Sequence, residues 1–144
     1  MCKMAEEKAP SPHCNIMKPI WPTVEVLRKL KEGGYPLYGL SNWPSDKFDL
    51  VRPKYEFFSW FDDIVVSGKV RIAKPDPRIF RPALEAIGVE AADVLFVGDS
   101  VTSDMAAARN ASMDFCWVNP KGLPCPADHA PAFVIASIAE FPAL

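Results

Sequence analysis

Val94-Leu95-Phe96-Val97-Gly98-Asp99-Ser100-Val101-Thr102-Ser103-Asp104 is an apolar run that stops in two carboxylates and several hydroxyls, and an alanine-rich segment follows it. It reads as strand, acidic loop, helix. Four consecutive apolar residues suit a strand buried on both faces, as in a parallel sheet, so Asp99 stands where the chain leaves the sheet's carboxyl edge. Open α/β sheets bind ligands at that edge. Two carboxylates there repel each other unless they share a cation or a proton, and oxygen ligands with spare hydroxyls favour magnesium over zinc. A plainer reading also fits: Ser103 or Asp104 suits a helix cap, and Asp99 suits a turn.

Working outward, the same alternation recurs. Thr23 is placed to cap a helix whose Val24, Leu27 and Leu30 repeat at helical spacing, and Gly33-Gly34 supplies a left-handed stop. Tyr35 to Leu40 then reads as a strand that ends at Ser41-Asn42-Trp43-Pro44. Ser45 to about Pro53 suits a short helix. The aromatic set Tyr55, Phe57, Phe58, Trp60 and Phe61 suits a docking surface for helices. Ile64 to Ser67 is a third buried strand, and Lys69 to Pro77 is a loop in which Pro75 keeps Lys74 extended. Pro77 opens a helix that Gly88 stops, a helix beyond Asp104 runs through Arg109, and Phe115 to Val118 and Phe133 to Ile135 are further strands. Strands alternating with helices predict an α/β fold with a doubly wound parallel sheet.

A chain of 144 residues with 49% hydrophobic content is enough for one domain with a substantial core. We divide it into an arm over residues 1–20, punctuated by Pro10, Pro12 and Pro19, and a core over residues 21–144. A net charge of -2 gives no reason to expect nucleic acid or an anionic membrane as partner. No apolar run is long enough to span a bilayer. The charged start at Lys3, Glu6, Glu7 and Lys8 does not read as a signal peptide, so a cytoplasmic location is expected. Cys2, Cys14, Cys116 and Cys125 show no metal-ligand spacing and read as free thiols, with Cys116 in the core. His13 and His129 read as isolated and solvated.

The strand ends supply, in chain order, a hydroxyl at Ser41, an ammonium at Lys74 and carboxylates at Asp99 and Asp104. Separately, Ser41-Asn42 suits a turn and Lys74 a solvated loop charge. Together they describe a phosphate cradle: a hydroxyl and amides for equatorial oxygens, a lysine to neutralise them, and a magnesium site. The order Ser41, Lys74, Asp99 disfavours a bacterial receiver domain, whose phospho-acceptor aspartate comes first. A dinucleotide fold is disfavoured because Gly33-Gly34 precedes a strand rather than following one.

Leu40-Ser41-Asn42-Trp43 resembles the second motif of the haloacid dehalogenase (HAD) superfamily of hydrolases. Lys74-Pro75-Asp76-Pro77-Arg78-Ile79-Phe80 resembles its third motif, and Val97 to Asp104 its fourth. The resemblance runs from about Trp21 to the end. It implies a HAD-like Rossmann-type core in which Ser41 binds a phosphoryl group, Asn42 shapes the pocket and Lys74 stabilises an aspartyl intermediate. By the same resemblance Asp99 binds Mg2+ and Asp104 ligates or orients it, and the substrate is small and phosphorylated. Dehalogenases of the family tend to lose the acidic pair that this chain keeps, so the resemblance favours a phosphatase.

The chain departs from the family at its first motif, an apolar strand ending in two aspartates that supply nucleophile and general acid. No aspartate precedes Ser41. The family's cap is also missing, and residues 1–20 read as its remnant, so the chain resembles the C-terminal core of such a hydrolase. We therefore expect a sheet incomplete at its first strand, magnesium bound weakly or lost, and a chain inactive alone. The alternative is a non-catalytic descendant that binds a phosphorylated ligand or a protein. By the family's strand order the strand ending at Ser41 and the strand ending at Asp99 would flank a gap; of three repairs, direct pairing of those strands, insertion of Cys14-Asn15-Ile16-Met17, or exchange of elements between chains, the last is expected, giving a homodimer.

Overall fold

The computed structural model of the protein describes residues 18–141, so most of the expected arm lies outside the described residues, as do Cys2, His13 and Cys14. Helix α1, Trp21–Glu32, carries Pro22 in its first turn and ends where Gly34 takes a left-handed φ of 81°. Its cap residue is Ile20 and makes no side-chain cap. Thr23 therefore lies inside the helix rather than capping it, because proline, which suits the first turn, moves the boundary toward the N-terminus.

Strand β1, Tyr38–Ser41, runs parallel to β2, Asp63–Val66, with Tyr38 opposite Asp63 and Ser41 opposite Val66. Between them lie α2, Ser45–Val51, and a 3-10 turn at Glu56–Trp60 whose aromatic rings pack on Phe48 and on one another. Helix α3, Ser67–Val70, is a single turn that ends at Arg71 with φ 58°. This corrects the expected loop over Lys69 and Val70, since Pro75 restricts only the residue before it and leaves that stretch free to coil. A 3-10 turn at Pro77–Phe80 leads into α4, Arg81–Ile87, which Gly88 stops at φ 75°.

Strand β3, Leu95–Gly98, is followed by a π turn at Val101–Met105 and then by α5, Ala106–Asn110. The helical stretch thus begins before Asp104, not after it. Its cap is Ser100, whose Oγ accepts the Ser103 amide at 3.2 Å, so neither Ser103 nor Asp104 serves as cap. Strands β4, Asp114–Val118, and β5, Phe133–Ile135, complete the order, all in parallel register.

The strands form two sheets, β1-β2 and β3-β4-β5. Both line one core: Val65 of β2 packs in the same cluster as Ile79, Phe80, Met105, Phe115 and Trp117. Strand β4 has a neighbour on each side, and its Phe115, Cys116 and Trp117 are buried. Strands β1 and β3 are half-buried along their whole length. Interior parallel strands are normally covered on both sides, so among the described residues the doubly wound sheet is interrupted between β1 and β3. Among the described residues, no helix is long and apolar enough to cross a membrane.

Candidate functional site

The carboxyl ends of β1 and β3 meet around one ammonium. Beyond Ser41, the Asn42 side chain clamps the backbone of Lys74: its Oδ1 accepts the Lys74 amide at 2.8 Å and its Nδ2 donates to the Lys74 carbonyl at 3.0 Å. An amide side chain is suited to this, carrying an acceptor and a donor side by side. So fixed, Lys74 turns its side chain back under the strand ends. Its Nζ donates to the Leu40 carbonyl at 3.3 Å and to Asp104 Oδ1 at 2.6 Å, and lies 5.6 Å from the centre of the Phe96 ring. Lys74 and Asp104 are nearly covered, with side chains 10% and 8% exposed.

Asp104 is reached through the π turn, and its second oxygen, Oδ2, accepts the Ser100 amide at 3.1 Å. Gly98 makes room for it, since a Cβ there would stand 2.6 Å from Asp104 Oδ2. Asp99 behaves differently. Its backbone carbonyl accepts the Trp117 indole N–H at 3.1 Å, and the residue itself is exposed. Ser41, half-buried, adjoins the carbonyl that holds the ammonium. The structure thus brings Ser41, Asn42, Lys74 and Asp104 together, with Asp99 at the same edge but outside the ion pair.

Residues not anticipated as part of the site hold its outer wall. Ser67 Oγ accepts the Trp43 amide at 2.9 Å, and the Gly68 amide donates to the Trp43 carbonyl at 3.0 Å, tying the end of β2 to the loop after β1. A Cβ at Gly68 would lie 2.5 Å from the Ser45 nitrogen, so the approach requires glycine. The signal was there in Ile64-Val65-Val66-Ser67-Gly68, an apolar run stopping at a small polar pair as the other two strands do. His129, expected to be solvated, is instead tucked in with its side chain 10% exposed. Its Nδ1 sits 2.7 Å from Oδ1 of the neighbouring Asp128. That contact holds the Asp128 carboxyl below the usual range. His129 stays outside the ring of strand ends described above.

As a magnesium site, the donor set fits in part. Lys74 and the Ser100 amide each occupy one oxygen of Asp104, leaving Asp99 as the one uncommitted carboxylate of the pair. Among the described residues, no three His, Cys, Asp or Glu side chains gather as a metal cage. Magnesium is commonly held by one or two carboxylates with water and phosphate oxygens completing six positions, so Asp99 would hold it and Asp104 would sit behind.

Comparisons with known proteins agree on one group. The family profile described as haloacid dehalogenase-like hydrolase matches residues 14–112. Human N-acylneuraminate-9-phosphatase is 35% identical over 88 residues, which cover 60% of this chain and 36% of that protein. The (S)-2-haloacid dehalogenase of Pseudomonas putida is 30% identical over 125 residues, covering 86% of this chain and 55% of that enzyme. The chain therefore spans between about a third and about half the length of these relatives. A magnesium-bound crystal structure of YfnB from Bacillus subtilis superposes with a TM-score of 0.75 at 28% identity, covering 81% of this chain and 51% of that one.

Proposed function

From the premise that this chain belongs to the haloacid dehalogenase-like hydrolase family, we propose that it carries the phosphate- and magnesium-binding half of a phosphomonoester phosphatase and has no hydrolytic activity by itself. The observation that carries the reading is the ring formed by Leu40, Lys74, Asp104 and Ser100 at the ends of β1 and β3. It holds a nearly covered ammonium in a fixed place at the edge where the exposed Asp99 carboxylate also stands.

Phosphoryl transfer is catalysed chiefly by positioning and charge neutralisation. In this reading the Ser41 hydroxyl donates to one phosphoryl oxygen and the Lys74 ammonium neutralises another. Asn42 fixes the Lys74 backbone, and Asp104 holds the ammonium against drift. Asp99 would hold magnesium, which when bound would add positive charge beside the phosphate. Retention of the acidic pair favours a phosphoryl ester over a carbon–halogen bond. Relatives named N-acylneuraminate-9-phosphatase and glyceraldehyde 3-phosphate phosphatase support a small phosphorylated compound as ligand.

Covalent catalysis needs a carboxylate in line with phosphorus, and no aspartate precedes Ser41 in the sequence. That same observation favours the second reading, a descendant that binds a phosphorylated ligand without turning it over. Titration calorimetry with magnesium in the presence of inorganic phosphate tests the site. Weak saturable heat in the wild-type chain, lost in Asp99→Ala, is expected, and equal heat in both proteins would remove Asp99 from it.

A further inference from the structure

Just past the last rung of the ladder between β3 and β4, where Gly98 lies opposite Trp117, one peptide plane has both of its polar atoms gripped by side chains. The Asp99 carbonyl accepts the Trp117 indole N–H at 3.1 Å, and the Ser100 amide donates to Asp104 Oδ2 at 3.1 Å. Asp104 is itself pinned through Oδ1 by the Lys74 ammonium at 2.6 Å. The Ser100 carbonyl is engaged as well, accepting the Asp104 and Met105 amides at 3.0 Å. A peptide unit is planar, so the chain cannot turn on either side of it without straining one of these contacts. The Asp99 carboxylate, by contrast, has no hydrogen bond or ion pair among the described residues. The backbone that carries it therefore sets its direction. Trp117 is the firm end of the grip: it is 2% exposed, packs in the buried cluster with Met105 and Phe115, and sits on β4, which has a neighbour on each side. Its rings fill the core while its single polar atom, a donor only, reaches the carboxyl edge.

Resting on the proposed function, we propose that Trp117 is a positioning residue for the magnesium-holding carboxylate. Its indole fixes the Asp99 carbonyl, and with it the direction in which the Asp99 side chain leaves the edge of the sheet. The carboxylate keeps its two side-chain rotations with which to meet an ion, while its Cβ stays in place. Such pre-organisation matters for magnesium, which demands near-octahedral oxygen geometry and gives up water reluctantly. The same peptide joins the two ligand-binding parts of the site. Lys74, which neutralises the phosphate in this reading, holds Asp104; Asp104 holds the Ser100 amide; and Trp117 holds the carbonyl across the same bond. Asp99 and Lys74 are thus kept in register through one stretch of backbone. Phenylalanine in place of Trp117 would still fill much of the core volume, but it would leave the Asp99 carbonyl without this donor.

Magnesium titration in the presence of inorganic phosphate, followed by calorimetry and by NMR of the indole N–H groups, tests the assignment without any turnover. Trp117→Phe removes the donor, and Met113→Ala, a buried change just before the opposite end of β4, reports the effect of lost packing alone. The expected magnesium dissociation constant rises about tenfold in Trp117→Phe and stays within about twofold of wild type in Met113→Ala, since groups that orient a metal ligand commonly matter by about tenfold or more. The indole resonance that Trp117→Phe deletes should move as magnesium is added to the wild-type chain and stay still in Asp99→Ala, which keeps the carbonyl but lacks the carboxylate. This second readout uses the wild-type fold and decides the matter even where Trp117→Phe fails to fold. Equal magnesium affinity in wild type and Trp117→Phe, or equal weakening in Met113→Ala, would overturn the role of Trp117 and leave the proposed function standing. A Trp117 resonance that ignores magnesium bound by the wild-type chain would do the same. Absence of magnesium binding by the wild-type chain would overturn both.

Discussion

At the scale of single residues, Lys74 joins the two strand ends. Its ammonium and the Asp104 carboxylate are both nearly covered, and a buried charge that loses its partner is strongly destabilising. Lys74→Met is expected to cost about 3 to 5 kcal/mol in urea unfolding, and Lys74→Met combined with Asp104→Leu to cost clearly less than the two single changes added. Additive costs would mean that the pair does not act as one unit. Asp99→Ala, by contrast, should leave the melting temperature nearly unchanged, since exposed side chains away from special features rarely matter by more than about 0.5 kcal/mol. These residues were legible in the sequence as types at strand ends. Their division of labour was not: nothing local to Lys74 or Asp104 announces an ion pair across 30 positions, nor that Asn42 would grip the backbone of Lys74. The low exposure of His129 was hidden for the same reason, because a loop rich in proline gives no period from which to read a face.

At the scale of elements, strand β1 starts at Tyr38 rather than at Tyr35 as its apolar pattern suggests. The Leu37 amide is taken by the Asp62 carboxylate at 2.9 Å, and the ladder opens one residue later. That amide, with Lys31 nearby, holds the Asp62 carboxyl below its usual value. A depressed carboxylate contributes stability above its unfolded pKa, about 3.9, and loses it as pH falls through the lower folded value. Wild type should therefore melt above Asp62→Asn at neutral pH, with the difference shrinking toward zero below about pH 4. A difference independent of pH would mean that the charge plays no part. Gly98→Ala belongs here too: it drives a methyl into Asp104 and should displace the π turn, seen as a loss of protection at the Ser100 amide. Helix and strand identities were mostly legible from apolar spacing and glycine stops. The single turn α3 was not, since four residues after a strand carry no helical period.

For the molecule as a whole, the parallel α/β architecture followed from the alternating patterns, and the interruption between β1 and β3 among the described residues agrees with the incomplete sheet expected from the missing first motif before Ser41. How the two sheets stay together was not legible, because it depends on α1 reaching across both halves and on one ammonium joining the strand ends. Under the proposed reading the site would hold a phosphate and magnesium, and no aspartate precedes Ser41 to form an aspartyl intermediate. Phosphorus NMR of a phosphomonoester mixed with the chain and magnesium examines both halves of that statement in one experiment. A saturable shift of the ester resonance that is lost in Asp99→Ala is expected, with no growth of the inorganic phosphate signal over hours. A growing phosphate signal that disappears in Asp99→Ala, or an ester resonance unmoved by the wild-type chain, would contradict it.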